Sequence, residues 1–267
     1  MGLPVVVIGA GPQGLAAAAH LLERGLEPLV LEQGASPAAV VSEWGHVRLF
    51  SEWPELIDAA AARLLELSGW VAPERGYPTG DSWVSGYLAP LGKALGDRVR
   101  YGARVTGVGR KGRDLLVDAG RAEQPFVIHM QDADGHDSRI EARAVIDASG
   151  TWSIPNPAGA DGLPALGETA AAEFLTYRIP AFADAEQYAG RHTVVVGNGH
   201  SAATAITELS RIARQHPDTR ITWVLRRGTV GGTFGGGDAD GLPERGALGK
   251  RARTAVEQGL VTLVTGF

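Results

Sequence analysis

The residues best suited to chemistry form two glycine-rich turns. The first, Gly9-Ala10-Gly11-Pro12-Gln13-Gly14, follows the apolar run Val5-Val6-Val7-Ile8. The second, Gly197-Asn198-Gly199-His200-Ser201-Ala202, follows Thr193-Val194-Val195-Val196. In this spacing the first glycine permits a tight turn and the second lets the backbone approach a pyrophosphate. The third lets a helix pack close to a strand. Ala202 holds that third position in the second turn, where one methyl is tolerated. Each turn opens a helix-like stretch, whose N-terminus offers free N–H groups and the positive end of its dipole to phosphates. Two such turns in one chain point to two dinucleotides and to electron transfer between them.

The ends of the following strands differ in charge. After Leu29-Val30-Leu31 comes Glu32, then Gln33. A carboxylate there accepts hydrogen bonds from ribose hydroxyls and repels a 2′-phosphate, which suits FAD or NAD better than NADP. After Ile221–Leu225 come Arg226 and Arg227. Guanidinium groups there pair with the 2′-phosphate of NADPH and stack on its adenine. The bland alternatives are a strand-to-helix turn that binds nothing and a solvated basic strand end.

These residues need elements to position them. Residues 4–8, a helix over 12–24 and the strand at 29–31 make a βαβ unit of about 30 residues. Helices are expected over 54–67, starting at Pro54, and over 82–95, interrupted by Gly86 and Pro90. Asp81 reads as an N-cap or a residue near it. Short strands follow at 99–101, 104–110, 114–118, 126–130 and 138–142, with a hairpin turn signal at Asp134-Gly135. Val145–Ala148 is a further buried strand, leading into Ser149-Gly150. A Pro/Gly/Asn-rich linker covers 151–164. The second βαβ unit starts at Thr193, with helices near 201–214 and 246–258 and a last strand near 260–264. The expected fold is α/β: two Rossmann-like dinucleotide-binding domains with parallel central sheets, the first carrying an inserted antiparallel β-meander. The domains are 1–157, binding FAD, and 158–267, binding NAD(P)H. The end inside a strand is expected to mark a fragment.

Composition narrows the function. The formal charge of −5 gives no electrostatic case for nucleic acid or an anionic membrane. The chain has no cysteine, so disulfides, thiolate metal sites and a redox-active Cys-x-x-Cys are excluded. No apolar run approaches the roughly 20 residues of a membrane span, and the N-terminus lacks a signal peptide, so a cytoplasmic location is expected. Neither a Gly-x-Ser-x-Gly elbow nor a lysine-bearing phosphate loop occurs.

The chain resembles flavoproteins with two dinucleotide-binding domains, most closely the flavin-containing monooxygenase and Baeyer-Villiger group, including flavoproteins encoded beside metal-resistance genes. Gly9, Gly11, Gly14 and Glu32 match the FAD fingerprint. Asp147-Ala148-Ser149-Gly150 matches the segment where the chain leaves the FAD domain. Val105 matches a strand position whose backbone meets the adenine. Trp44, Arg48, Leu49 and Ser51 resemble the segment along the flavin, and Gly197, Gly199, Ser201, Arg226 and Arg227 match the NADPH domain. The resemblance implies an NADPH-dependent flavoprotein oxidoreductase of the monooxygenase kind, acting on a small-molecule substrate; a flavin reductase that does not oxygenate and a non-catalytic nucleotide-binding fragment are the alternatives. The Phe-x-Gly-x-x-x-His fingerprint is missing, its place taken by Leu166–Ala172. The last FAD-domain strand and helix of the group are expected to be absent. No side chain is assigned as general acid or base. His200 is expected to shape its loop, and His20 to be structural. The other histidines show no metal-site spacing. Residues 231–238 are expected either to form a mobile loop over the nicotinamide or to be a disordered surface loop. A homo-oligomer is open.

Overall fold

A computed structural model describes residues 2–159, 161–226 and 233–266. The chain divides into two compact units. One is Met1–Gly45 with Glu52–Ser153; the other is His46–Ser51 with Ile154–Phe267. The break after Ser153 precedes the expected 157/158 division. The short segment 46–51 groups with the second unit, which a single linear boundary does not express.

In the first unit, β1 (Val5–Ile8) and β2 (Pro28–Leu31) pair in parallel, joined by α1 (Pro12–Glu23). Proline at N1 starts the helix, and Gly25 at φ +66° stops it. Then come α2 (Ala39–Glu43), α3 (Trp53–Leu56) and α4 (Ala59–Glu66). The helix expected over 54–67 is thus two helices. Asp58 leaves helical geometry so that its carboxylate can accept the amides of Ala60 and Ala61 at 2.9 and 3.0 Å and cap α4.

The next helical run comprises α5 (Gly80–Trp83), a π turn (Val84–Leu88) and α6 (Ala89–Leu95). Pro90 has no N–H to give the Gly86 carbonyl. The Trp70 indole donates to that oxygen instead, at 2.9 Å. The interruption expected from Gly86 and Pro90 is therefore absorbed as a π turn. Thr79, not Asp81, caps the start, because its hydroxyl accepts the Ser82 amide.

β3 (Val99–Arg100) joins the edge beside β2, and β7 (Ala144–Asp147) returns beside β1, giving the parallel order β3-β2-β1-β7. Between them, β4 (Arg104–Arg110), β5 (Phe126–Gln131) and β6 (Asp137–Ala142) form an antiparallel meander. Val6 and Leu31 pack with Ile128, Met130 and Ala142, so the core lies between these two sheets. The strand expected at 114–118 is absent. Turns occupy it, and the guanidinium groups of Arg113 and Arg121 take the carbonyls of Ala119 and Asp114 that a partner strand would otherwise satisfy.

The second unit is a three-stranded parallel sheet, β8 (His192–Val196), β9 (Arg220–Leu225) and β10 (Val261–Thr265), in the order β10-β9-β8. Its helices are α7 (His200–Gln215) and α8 (Pro243–Glu257). Ile206, Leu209 and Ile212 of α7 and Leu248 of α8 pack against Ile221, Trp223 and Leu225 of β9. On the alternate positions of β8, Val194 and Val196 remain exposed. Among the described residues no helix is long and apolar enough to cross a membrane.

Candidate functional site

The first glycine turn separates packing from openness. Gly9 has φ +96°, and a Cβ there would lie 2.8 Å from the Ala148 carbonyl oxygen. A Cβ at Gly14 would overlap the Gly9 carbonyl oxygen, so the start of α1 packs directly on the turn. Gly11 is different: nothing lies within 4 Å of its Cβ position. It is the N-cap of α1, and no side chain caps that first turn. Pro12 fills N1, and Gln13 beside it is exposed. An uncapped helix start reached through an open glycine is the donor set that a pyrophosphate requires.

Glu32, at the end of β2, is 94% buried, with 6% of its surface exposed. Its Oε2 accepts the Ala10 amide at 2.6 Å, and its Oε1 accepts the Gly34 amide at 2.7 Å. The turn itself thus orients the carboxylate, and each oxygen keeps a lone pair for a further donor. Glu32 and Gln33 line a cavity of about 390 Å³, together with Glu43, Arg104 and Asp132. Val105 sends its side chain into the core between the sheets, and its neighbour Arg104 faces the cavity. Asp147 Oδ1 accepts both the amide and the hydroxyl of Ser149, which hold its carboxyl below the usual range. Gly150 follows at φ +69°. The Trp44 ring lies against Gly80, whereas Arg48 and Leu49 fall in 46–51. The expected set of Trp44, Arg48 and Leu49 is therefore divided between the two units. Trp83 Nε1 is buried and has no acceptor among the described residues.

In the second turn, Gly197 has φ +116°. Its amide donates to Val224 O at 3.1 Å, and its carbonyl accepts Trp223 Nε1 at 2.7 Å. Asn198, Gly199, His200 and Ser201 are exposed, and Ala202 is buried. Gly199 is the N-cap of α7, again with no capping side chain. The His200 ring stands edge-on to Phe50, with centroids 5.2 Å apart. Arg226 is exposed directly after β9; Arg227, also expected in the site, lies outside the described residues.

Within residues 233–240, Phe234 and Asp240 make defined contacts, while Gly235, Gly236, Asp238 and Ala239 are exposed. Phe234 is buried edge-on against Trp223 at 5.8 Å, and its carbonyl oxygen fills the space a Cβ on Gly249 would need. Arg245 grips Asp240 through Nε and Nη2, which holds that carboxyl down to about 2. Gly231 and Gly232 lie outside the described residues.

The chain matches the pyridine nucleotide-disulphide oxidoreductase family over residues 6–231, a span that takes in both turns. It belongs to that family. It is 31% identical over 208 residues to the rice (Oryza sativa subsp. japonica) indole-3-pyruvate monooxygenase YUCCA1, covering 77% of this chain and 45% of that protein. It is 30% identical over 218 residues to a thiamine thiazole synthase of Saccharolobus islandicus, covering 80% and 78%. The bacillithiol disulfide reductase Bdr of Bacillus cereus superposes with a TM-score of 0.73 at 21% identity, covering 99% of this chain and 68% of that one. The chain thus spans less than half the length of the first of these relatives. This family member has no cysteine in its 267 residues, so these residues supply no dithiol to relay electrons.

Two groupings escaped the sequence. His20 Nε2 lies 3.0 Å from Asp58 Oδ2, tying α1 to the cap of α4. Asp132, Asp134 and His136 come together at the β5–β6 turn. There Asp132 already accepts the amides of Asp134 and His136, so the cluster has an internal structural use.

Proposed function

We propose that the chain is the nucleotide-binding body of an NADPH-dependent flavoprotein oxidoreductase, with FAD on the first turn and NADPH on the second. The observation that carries this reading is the pair of glycine turns, each leading into a helix start that no side chain caps. Gly11 and Gly199 admit the pyrophosphates: neither Cβ position has an atom within 4 Å. Glu32 receives the ribose of FAD with its remaining lone pairs. Arg226 and Arg227 pair with the 2′-phosphate of NADPH. A bound flavin supplies hydride acceptance from the nicotinamide. The likeness to YUCCA1 supports a monooxygenase acting on a small molecule. A flavin reductase that does not oxygenate is the alternative within the same binding scheme.

The test is the visible spectrum of the FAD-loaded protein under anaerobic conditions, before and after NADPH. The expected result is a flavin band that NADPH bleaches faster than NADH does. No flavin retention, or no bleaching, would refute the reading. The thiamine thiazole synthase likeness is separated by the same experiment, because only the hydride-transfer reading requires bleaching. Oxygen consumption balanced against hydroxylated or oxygen-inserted product then decides between oxygenase and reductase.

A further inference from the structure

We infer that Trp223 is the positioning residue of the second glycine turn, replacing by a hydrogen bond the close backbone packing that shapes the first. The inference rests on the reading of residues 197–202 as the NADPH turn.

The two turns align position by position: Gly9 with Gly197, Gly11 with Gly199, Pro12 with His200 and Gly14 with Ala202. In the first, the Gly9 carbonyl sits where a Cβ on residue 14 would be, so glycine at 14 is obligatory. The second turn has a methyl at this position, on a buried Ala202. Its Gly197 carbonyl accepts the Trp223 indole N–H at 2.7 Å. The Gly197 amide is held by the next residue of the same strand, through Val224 O at 3.1 Å. Both polar groups of Gly197 are therefore fixed by consecutive residues of β9. The donor is rigid. Trp223 has no exposed surface, and Phe234 meets its ring edge-on at 5.8 Å. A fixed Gly197 at φ +116° sets the direction in which the exposed amides of 198–201 present themselves. Trp223 acts on bound nucleotide through that carbonyl.

The experiment titrates the full chain, loaded with FAD, with NADP⁺ by calorimetry, in wild type, Trp223→Phe and the core control Ile206→Val. A benzothienylalanine at 223, which keeps the bicyclic shape and lacks the N–H, serves as a second variant should Trp223→Phe fail to fold. Loss of one hydrogen bond is expected to raise the Kd about fivefold, in the benzothienyl protein as in Trp223→Phe. Ile206→Val removes a methylene from the same core and is expected to leave Kd within twofold. The Trp223 indole proton, assigned by its loss in the variant, is expected to shift in ¹⁵N–¹H spectra when NADP⁺ binds. Wild-type affinity in the N–H-less proteins, or an equal rise in Ile206→Val, overturns the inference and leaves the NADPH reading standing. No NADP⁺ binding by the wild type overturns both.

Discussion

Glu32→Gln removes one oxygen and adds a donor at a place where both oxygens are in use. Oε2 and Oε1 of Glu32 accept backbone amides at 2.6 and 2.7 Å, and the side chain is 6% exposed. A glutamine satisfies one of those amides through its remaining oxygen. Its NH₂ group must then face the other N–H, donor against donor. A hydrogen bond to a charged group contributes about 1.5–3 kcal/mol, and a neutral one about 1 kcal/mol. Losing one charged bond and weakening the other lowers stability by roughly 2–4 kcal/mol, allowing for the unpaired amide. For a unit of this size about 1 kcal/mol moves the midpoint by roughly 2–4 °C. The cofactor-free variant should therefore melt roughly 4–16 °C below the wild type. Thermal unfolding followed by circular dichroism, with FAD stripped from both proteins, measures this without a ligand contribution. A shift below about 1 °C would show that the amide–carboxylate bonds contribute little net free energy. The orientation of Glu32 would then have to come from elsewhere.

Three further outcomes are expected. Gly14→Ala places a methyl on the Gly9 carbonyl and should cost about 3 kcal/mol in urea unfolding, whereas Gly11→Ala, with open space around it, should leave stability nearly unchanged and weaken FAD binding in a fluorescence titration. Asp58→Ala removes the cap of α4 and should cost about 1 kcal/mol at pH 7. Burial raises the Asp58 carboxyl, but the amides of Ala61 and Ala60 and the His20 contact outweigh it and hold the group below its ordinary value. Its contribution is therefore full above the unfolded value of about 3.9 and fades as pH falls through the lower folded one; urea midpoints of variant and wild type should converge only below about pH 4. Arg226→Gln should reduce the preference for NADPH over NADH at least about tenfold in anaerobic flavin reduction, and an unchanged ratio would remove Arg226 from the 2′-phosphate site.

Local signals were legible in the sequence, and remote pairings were not. The strand–glycine–helix order at 5–23 and 193–215 is set by short-range chemistry: β-branched runs, glycine freedom and helix-forming residues. The helix expected over 54–67 divides at Asp58, because a carboxylate two and three positions before free amides favours a cap over helix continuation. The 114–118 expectation failed for a similar reason: two arginines satisfy the backbone where a sheet partner was assumed. The cavity wall needed tertiary information. Arg104 and Asp132 reach the same cavity as Glu32 only because β3 brings the chain beside β2 before the meander begins. The hairpin signal at Asp134-Gly135 located the turn without its neighbour across the fold. Trp223 was equally hidden, since its role depends on β8 and β9 aligning in parallel with Val195 opposite Trp223.

The glycine fingerprint also joins unlike functions under one spacing. Gly9 and Gly14 are required by the chain's own backbone, Gly9 by the Ala148 carbonyl and Gly14 by the Gly9 carbonyl, and either would be needed in a fold that bound nothing. Gly11 and Gly199 answer to no protein atom within 4 Å. Under the proposed function, that open space at each helix start is where a pyrophosphate would sit. At the matching position of the second turn stands Ala202, in a turn whose Gly197 carbonyl accepts the Trp223 indole N–H. Binding and folding are therefore separable by substitution at positions two residues apart. Gly9→Ala should cost stability and FAD affinity together, Gly11→Ala affinity alone. If both changes instead moved stability and affinity in the same proportion, the division between packing glycine and ligand glycine would be wrong.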